Sequence, residues 1–290
     1  MELRLVGSEM CIRDRILYGK PVAENLDFKS KTIFENYTTN NDKPPVLTAI
    51  TVGENPASLL YVSVKEKKAK LLGVDFNWIK LKESTLESEL EDTISEYSES
   101  SQGMIVQLPL PEHLNVEKVI DLIPSEIDVD GLTTFNLGRL YSENLNIIPA
   151  TSMAILELLS HYEIETEDKN IVIAGRSRLV TSPLSKILSS KKFNGNVSVI
   201  HSKTSNPKDF VSKADIFISA VGKSKMFDKS YFKEGSYVID VGISVVDGKS
   251  YGDIDTADLD NYLLGRAPYP GGIGPITVSA LYSNLAQLIS

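Results

Sequence analysis

The chain has one cysteine, one tryptophan and three histidines in 290 residues, and no apolar run near the roughly 20 residues that cross a bilayer. One thiol, Cys11, makes an intrachain disulfide impossible and leaves no cysteine set for a structural zinc. Positive charge is also short: 30 basic against 39 acidic side chains give a net charge of -9 and a pI near 5.0. A chain with that balance has no overall attraction for phosphate backbones, so no nucleic-acid partner is expected. Glu2, Arg4, Glu9, Arg13, Asp14 and Arg15 interrupt the N-terminus where a signal peptide needs continuous apolar residues. No membrane association and a cytoplasmic, reducing compartment are therefore expected.

What remains is ordinary globular material, 42% hydrophobic and 24% charged, long enough for two domains of about 150 residues each. Strand-like and helix-like segments alternate, which predicts an α/β fold with parallel strands. Val46 to Val52 reads as a buried strand and Ala57 to Leu72 as a helix, with Asn55 or Ser58 near its cap, Pro56 in the first turn and Gly73 closing it. Met104 to Leu108 reads as a short strand. The second half restarts with helix Met153 to His161, strand Ile171 to Ala174, helix Ser182 to Ser190, strand Val197 to Ile200, helix Pro207 to Lys213, and strands Ile216 to Val221 and Tyr237 to Val241. That is a Rossmann-like succession; Asn136 to Pro149 joins the halves, and a last helix runs from Thr277 to Leu288.

Five constellations carry chemistry. Ser58, Tyr61 and Lys65 stand at i, i+3 and i+7 on one helical face, and Val62, Ala69 and Leu72 share the arc. Lys65 is thus turned toward the packed side, where desolvation depresses a lysine pKa and suits it to proton transfer; the spacing equally serves a lysine snorkelling past the core edge. Tyr-x-x-x-Lys also occurs in short-chain dehydrogenases, but there it follows the dinucleotide turn, whereas here it precedes the candidate turn. Gln107 ends an apolar strand stopped by Pro109 and Pro111, at the edge where open α/β sheets bind ligands. Asp128-Val129-Asp130-Gly131 has the start of a calcium loop without the later oxygen ligands, so no metal is expected; a glycine-closed acidic turn is its plain reading.

Ile171 to Ala174, running through Gly175-Arg176-Ser177 into Thr181-Ser182-Pro183, is a strand, a turn and a helix start, the geometry that offers backbone N–H groups to a pyrophosphate. Only one glycine is present, and a plain strand-to-helix turn fits as well. His201-Ser202-Lys203-Thr204 ends the next strand with hydroxyls and a cation where NAD sites place a carboxylate, which together with Arg176 suits a 2′-phosphate. Finally Pro270, Gly271, Gly272 and Gly274 let backbone approach a flat ligand closely, or form a rigid hinge.

Taken in order, these motifs resemble the bifunctional methylenetetrahydrofolate dehydrogenase/methenyltetrahydrofolate cyclohydrolase family, from about Ile16 to the C-terminus. They are Val52 to Ser58 through Lys65, Val106 to Pro111, Asp128 to Gly131, Gly175 to Ser177, His201 to Thr204, Val238 to Ile243 and Pro270 to Pro275. The resemblance implies a folate-binding domain over 16–148, a Rossmann-like NADP-binding domain over 149–274, a last helix over 275–290 packing back on the first domain, a cleft between domains and a homodimer. It implies oxidation of 5,10-methylenetetrahydrofolate with NADP, then hydrolysis to 10-formyltetrahydrofolate. Lys65 would move the proton, Gln107 would tune it, Tyr61 would stack on folate and Asp130 would anchor the pterin. Ser58, Pro270, Gly271 and Gly272 would line the substrate site, and Gly175, Arg176, Ser177, Ser202 and Ile243 the cofactor site. A monofunctional enzyme and a non-catalytic binding protein on the same scaffold are the alternatives.

Departures from the family pattern are Ala150 and Ser152 in the segment Pro149-Ala150-Thr151-Ser152, Ile127 before the acidic turn, Leu132-Thr133-Thr134 after it, and Thr181 where the cofactor turn has glycine. Thr181 is expected to crowd that turn. Residues 1–15 match nothing in the family and read as an appended segment or a misread start.

Overall fold

The computed structural model describes residues 15–143 and 145–290. The chain opens with strand β1 (Arg15–Ile16), which joins the sheet of the second unit, and a first unit then holds helix α1 (Gly19–Asn41), β2 (Val46–Val52), α2 (Pro56–Leu72), β3 (Asp75–Leu81), α3 (Glu87–Ser98), β4 (Gly103–Val106), α4 (Val116–Asp121) and α5 (Thr134–Tyr141). Six of the seven β2 residues are buried, because this strand lies between β3 and β4 in a parallel three-stranded sheet and is covered on both faces. Asn55 caps α2 by accepting the N–H groups of Ala57 and Ser58, and Gly73 ends it in the left-handed conformation.

The second unit runs α6 (Ala150–His161), β5 (Asn170–Ala174), α7 (Thr181–Leu188), β6 (Asn196–Ile200), α8 (Pro207–Val211), β7 (Ile216–Ser219), β8 (Tyr237–Asp240), a hairpin of β9 (Ser244–Val246) and β10 (Lys249–Tyr251), β11 (Gly265–Ala267) and α9 (Ile273–Leu288). Its six-stranded sheet is parallel throughout, in the order β1-β11-β8-β7-β5-β6. The chain leaves β5 for β6 on one side and then crosses to β7 on the other. The strand order therefore reverses at β5, and a crevice opens beyond its carboxyl end.

Several elements differ from expectation. The last helix begins at Ile273, a turn earlier than the apolar pattern marks, and the joining stretch opens with α5. Helices α1, α3 and α4, strands β1, β3 and β11 and the β9–β10 hairpin are additional. Arg15, assigned above to the unmatched segment, pairs in β1 with Gly265 and lays its guanidinium over Tyr162. Residues 1–14, with Cys11, lie outside the described residues.

The junction near Pro149 does not divide the core. One apolar cluster joins Phe34, Leu47 and Val62 to Ile155, Ile171 and Ile239. Helix α9 is its axis: buried nearly all round, it packs on α1, α2 and α6. It also supplies polar anchors, since Asn284 Nδ2 donates 2.8 Å to the carbonyls of both Val129 and Ile148. Among the described residues no helix is long and apolar enough to cross a membrane.

Candidate active site

Between the two sheets lies a cleft of about 560 Å³ walled by the carboxyl end of β4, the inner face of α2, the acidic turn and the Pro268–Val278 segment. Tyr61, Lys65, Gln107, Asp130, Ile243, Pro270, Gly271 and Gly272 all face it. A larger groove of about 740 Å³ lies on the outer face by α1, α2 and β3, and none of these residues lines it. We place the site in the cleft because the convergent titratable groups are there.

Lys65 Nζ donates 3.0 Å to Gln107 Oε1, and Gln107 Nε2 donates 2.8 Å to the Leu108 carbonyl, which settles which end of the amide meets the lysine. Part of Lys65 meets the cleft, yet the protein around it strips water from the ammonium. That burial lowers its pKa, while the charge of Asp130 pulls the other way. Asp130 is pushed up by burial; Lys65 opposes the shift and the Asp128 charge adds to it. Tyr61, 44% exposed and so open to a flat ligand, is raised by burial and by nearby Tyr269.

The acidic turn separates its two carboxylates. Asp128 is buried and accepts the N–H groups of Gly131 (2.9 Å), Leu132 (3.3 Å) and Thr133 (2.9 Å) and the side-chain amide of Asn136 (3.0 Å). It is turn chemistry in full. Asp130, two residues on, is left facing the cleft. Ser58 is turned away from the cleft, buried beneath the Leu108 carbonyl at a long 3.4 Å.

A second cavity of about 320 Å³ opens beyond β5, lined by Gly175, Arg176, His201, Ser202, Val221 and Lys223 among others. Gly175 has φ +123°, and a Cβ there would stand 2.8 Å from the Ala220 carbonyl, so only glycine brings the turn this close to β7. Arg176 and Ser202 are exposed beside it, and β6 ends without a carboxylate. Ser177 organises the turn instead of facing this cavity: its Oγ accepts from Leu179 N, and its carbonyl accepts from Ser182 N. His201 Nδ1 accepts from the N–H of Lys203, a local turn contact.

Thr181 is fully buried and turned into the fold. Its Oγ1 donates to the Ser177 carbonyl at 3.3 Å, and its methyl stands 3.1 Å from the place of a Gly175 Cβ. The crowding falls beneath the turn, and the threonine lines neither cavity. Ser152 donates 2.9 Å to the Val180 carbonyl, so two departures from the family pattern meet at one turn.

Sequence reasoning gave no role to Asp240, Tyr269, Thr277 or Lys223, which line these cavities. Asp240 had a signal, an acid at the end of a buried strand on the ligand side of the sheet. Lys223 had none, because its loop is placed by the buried carboxylate of Asp253, which accepts from Lys223 N and Val221 N at 2.8 Å.

Two family models match. The tetrahydrofolate dehydrogenase/cyclohydrolase catalytic domain covers residues 17–130, and the NAD(P)-binding domain of the same name covers 149–290. The chain is 41% identical over 272 residues to the bifunctional protein FolD of Thermodesulfovibrio yellowstonii, covering 93% of this chain and 94% of that protein. It is similar to the crystal structure of the bifunctional FolD methylenetetrahydrofolate dehydrogenase/cyclohydrolase of Campylobacter jejuni, with a TM-score of 0.90, 32% identity and coverage of 94% and 98%. The Trypanosoma brucei methylenetetrahydrofolate dehydrogenase-cyclohydrolase, solved with NADP cofactor and inhibitor, has a TM-score of 0.90 at 28% identity, covering 96% and 97%.

Proposed function

The chain belongs to the tetrahydrofolate dehydrogenase/cyclohydrolase family, and from that premise we propose how its own residues run the two reactions. It is a bifunctional enzyme: it oxidises 5,10-methylenetetrahydrofolate to the methenyl form with NADP and hydrolyses that to 10-formyltetrahydrofolate. NADP, when bound, supplies the hydride acceptor. Its fit rests on the second cavity: Gly175 brings main chain close, Arg176 and Ser202 offer a cation and a hydroxyl to a 2′-phosphate, and no carboxylate repels it.

In the cleft, Asp130 holds the pterin and Tyr61 lies against it, with Pro270, Gly271 and Gly272 as the opposite wall. Hydride loss from the one-carbon bridge needs position rather than a proton acceptor. Hydrolysis needs one. Water adds to the methenyl carbon and gives up a proton; as the carbinol opens, its hydroxyl loses a second proton to become the formyl oxygen and the ring nitrogen that leaves takes one, so one proton is released overall. Lys65 serves these transfers, because burial enlarges its neutral fraction and Gln107 aims its nitrogen. The lysine–glutamine hydrogen bond inside the cleft is the observation that carries this reading.

The finer assignments belong to the same proposal: a homodimer, a cytoplasmic enzyme, and a supplier of one-carbon units to purine biosynthesis. Their support is the family resemblance of the motifs, and light scattering of the purified protein tests the dimer.

Lys65→Met tests the chemistry, keeping the stem and removing the amine. Methenyl hydrolysis should fall by about 10² to 10⁴-fold, the usual contribution of a general acid–base group, while NADPH formation survives in part. Hydrolysis at the wild-type rate in a folded, folate-binding variant would return Lys65 to an ordinary snorkelling lysine.

A further inference from the structure

Tyr282 lies in α9 with none of its surface exposed, and the chemistry above makes no use of it. Its ring meets Phe34 of α1 edge-on, with centroids 6.5 Å apart. Its hydroxyl crosses to α2 and donates 2.7 Å to the main-chain carbonyl of Lys65, 217 residues away in the chain. The hydroxyl thus binds a carbonyl that lies within the hydrogen-bonded ladder of α2. Phenylalanine would fill nearly the same volume; what the hydroxyl adds is a directed contact at one place.

We infer that Tyr282 is a positioning residue for Lys65: holding the lysine's own carbonyl, it fixes the roll of α2 about its axis and so the point from which the amine reaches Gln107. A second grip stands one turn away, where Lys68 Nζ donates 3.3 Å to Ser279 Oγ and pairs with Asp27 of α1. The opening turns of α9, through Thr277 and Val278, are themselves cleft wall. One helix therefore sets both the wall and the lysine facing it. Burial pushes the Tyr282 phenol well above its ordinary value, aided by Asp27 and Glu66, so it stays a donor across the working pH range. The groups facing Lys65 are Gln107 from the end of β4, Asp130 with Asp128 behind it, and Tyr61 on its own helix.

The inference rests on the reading of Lys65 as the proton-transfer group, so Lys65→Met is measured beside Tyr282→Phe and Phe34→Leu. Tyr282→Phe should lower the cyclohydrolase kcat by about tenfold, since small displacements of a reacting group are costly. It should also move the midpoint of the kcat–pH profile by about half a unit, with KM for folate within about twofold. Phe34→Leu loosens the same core without touching the Lys65 carbonyl; it should lower Tm and leave the midpoint in place. A wild-type kcat and midpoint in Tyr282→Phe, or an equal shift in Phe34→Leu, overturns the inference while a dead Lys65→Met leaves the catalytic reading standing. An active Lys65→Met overturns both. Should Tyr282→Phe not fold, 3-fluorotyrosine installed at 282 keeps the shape and strengthens the donor: a moved midpoint supports the role, and an unmoved one overturns it.

Discussion

Asp240 and Asp253, both buried, are joined carboxylate to backbone: Asp240 Oδ1 accepts the main-chain N–H of Asp253 at 3.0 Å, and its Oδ2 accepts that of Ile254 at 3.1 Å. The Asp253 carboxylate in turn accepts from Ser219 Oγ at 2.7 Å and holds the loop after β7. A strand end that faces the cleft is thus connected to the loop that faces the second cavity.

Burial raises the Asp240 pKa from 3.8 to about 6, against the pull of its N–H partners and with help from the Asp253 charge. The folded state therefore binds this proton more tightly than the unfolded chain does. The stabilisation is full below about pH 4 and is lost as pH rises through about 6. That change corresponds to about 3 kcal/mol at full extent. Urea unfolding of wild type and Asp240→Asn at pH 4.5 and 7.5 should show their difference changing by about 2 kcal/mol in favour of wild type at the lower pH. A difference independent of pH would remove Asp240 as its source.

The acidic turn should split under mutation. Asp128→Ala removes the acceptor of four hydrogen bonds inside the fold and should cost about 3 kcal/mol or more, seen as a lower urea midpoint. Asp130→Asn keeps the shape and should leave stability within about 1 kcal/mol while weakening folate binding. Equal stability losses in the two variants would mean that Asp130 is also structural.

Gln107→Ala should move the cyclohydrolase pH profile as well as lower it. The amide oxygen favours the charged lysine, so its removal drops the Lys65 pKa further. With the neutral amine as the proposed base, the rise of kcat with pH should shift to lower pH. A profile that falls in height without moving would assign Gln107 to folate contact alone.

We propose that cofactor choice turns on two side chains, Arg176 and Ser202, which line the second cavity. Arg176→Ala should raise KM for NADP by about tenfold or more while leaving NAD nearly unchanged, since a charge-assisted contact to the 2′-phosphate is lost. Ser202→Asp should push the preference further toward NAD by placing a carboxylate at the end of β6. Steady-state rates with both cofactors decide it, and equal KM changes for NADP and NAD would refute the assignment.

Local rules made α2 readable before any fold was known. Asn55, Pro56 and Gly73 mark its ends, and the i, i+3, i+7 spacing is a property of the helix alone. The apolar strands β2, β5 and β7 were legible for the same reason, since a strand covered on both faces must be apolar throughout. Helix α1 was not: of its 23 residues only Gly19, Val22, Ala23, Leu26, Ser30 and Phe34 are buried, and long polar stretches dilute the period. Strand β3 carries Asp75, Asn77 and Lys80 because it is an edge, and β11 is three residues paired on both sides by distant segments.

The sequence by itself determined which face of α2 carries Tyr61 and Lys65, that Asp128 to Gly131 turns, and that the strand before Gly175 ends in a tight loop, since each depends on neighbours within a few residues. Only the tertiary structure decided that Lys65 meets Gln107, 42 residues away, that Ser58 turns under Leu108 instead of into the cleft, and that Asp128 and Asp130 part company. Nor does any local pattern place Tyr282 at the Lys65 carbonyl. The Tyr282 contact depends on where α9 packs, and that position is set by apolar area buried on three helices at once, a quantity no short window of sequence contains.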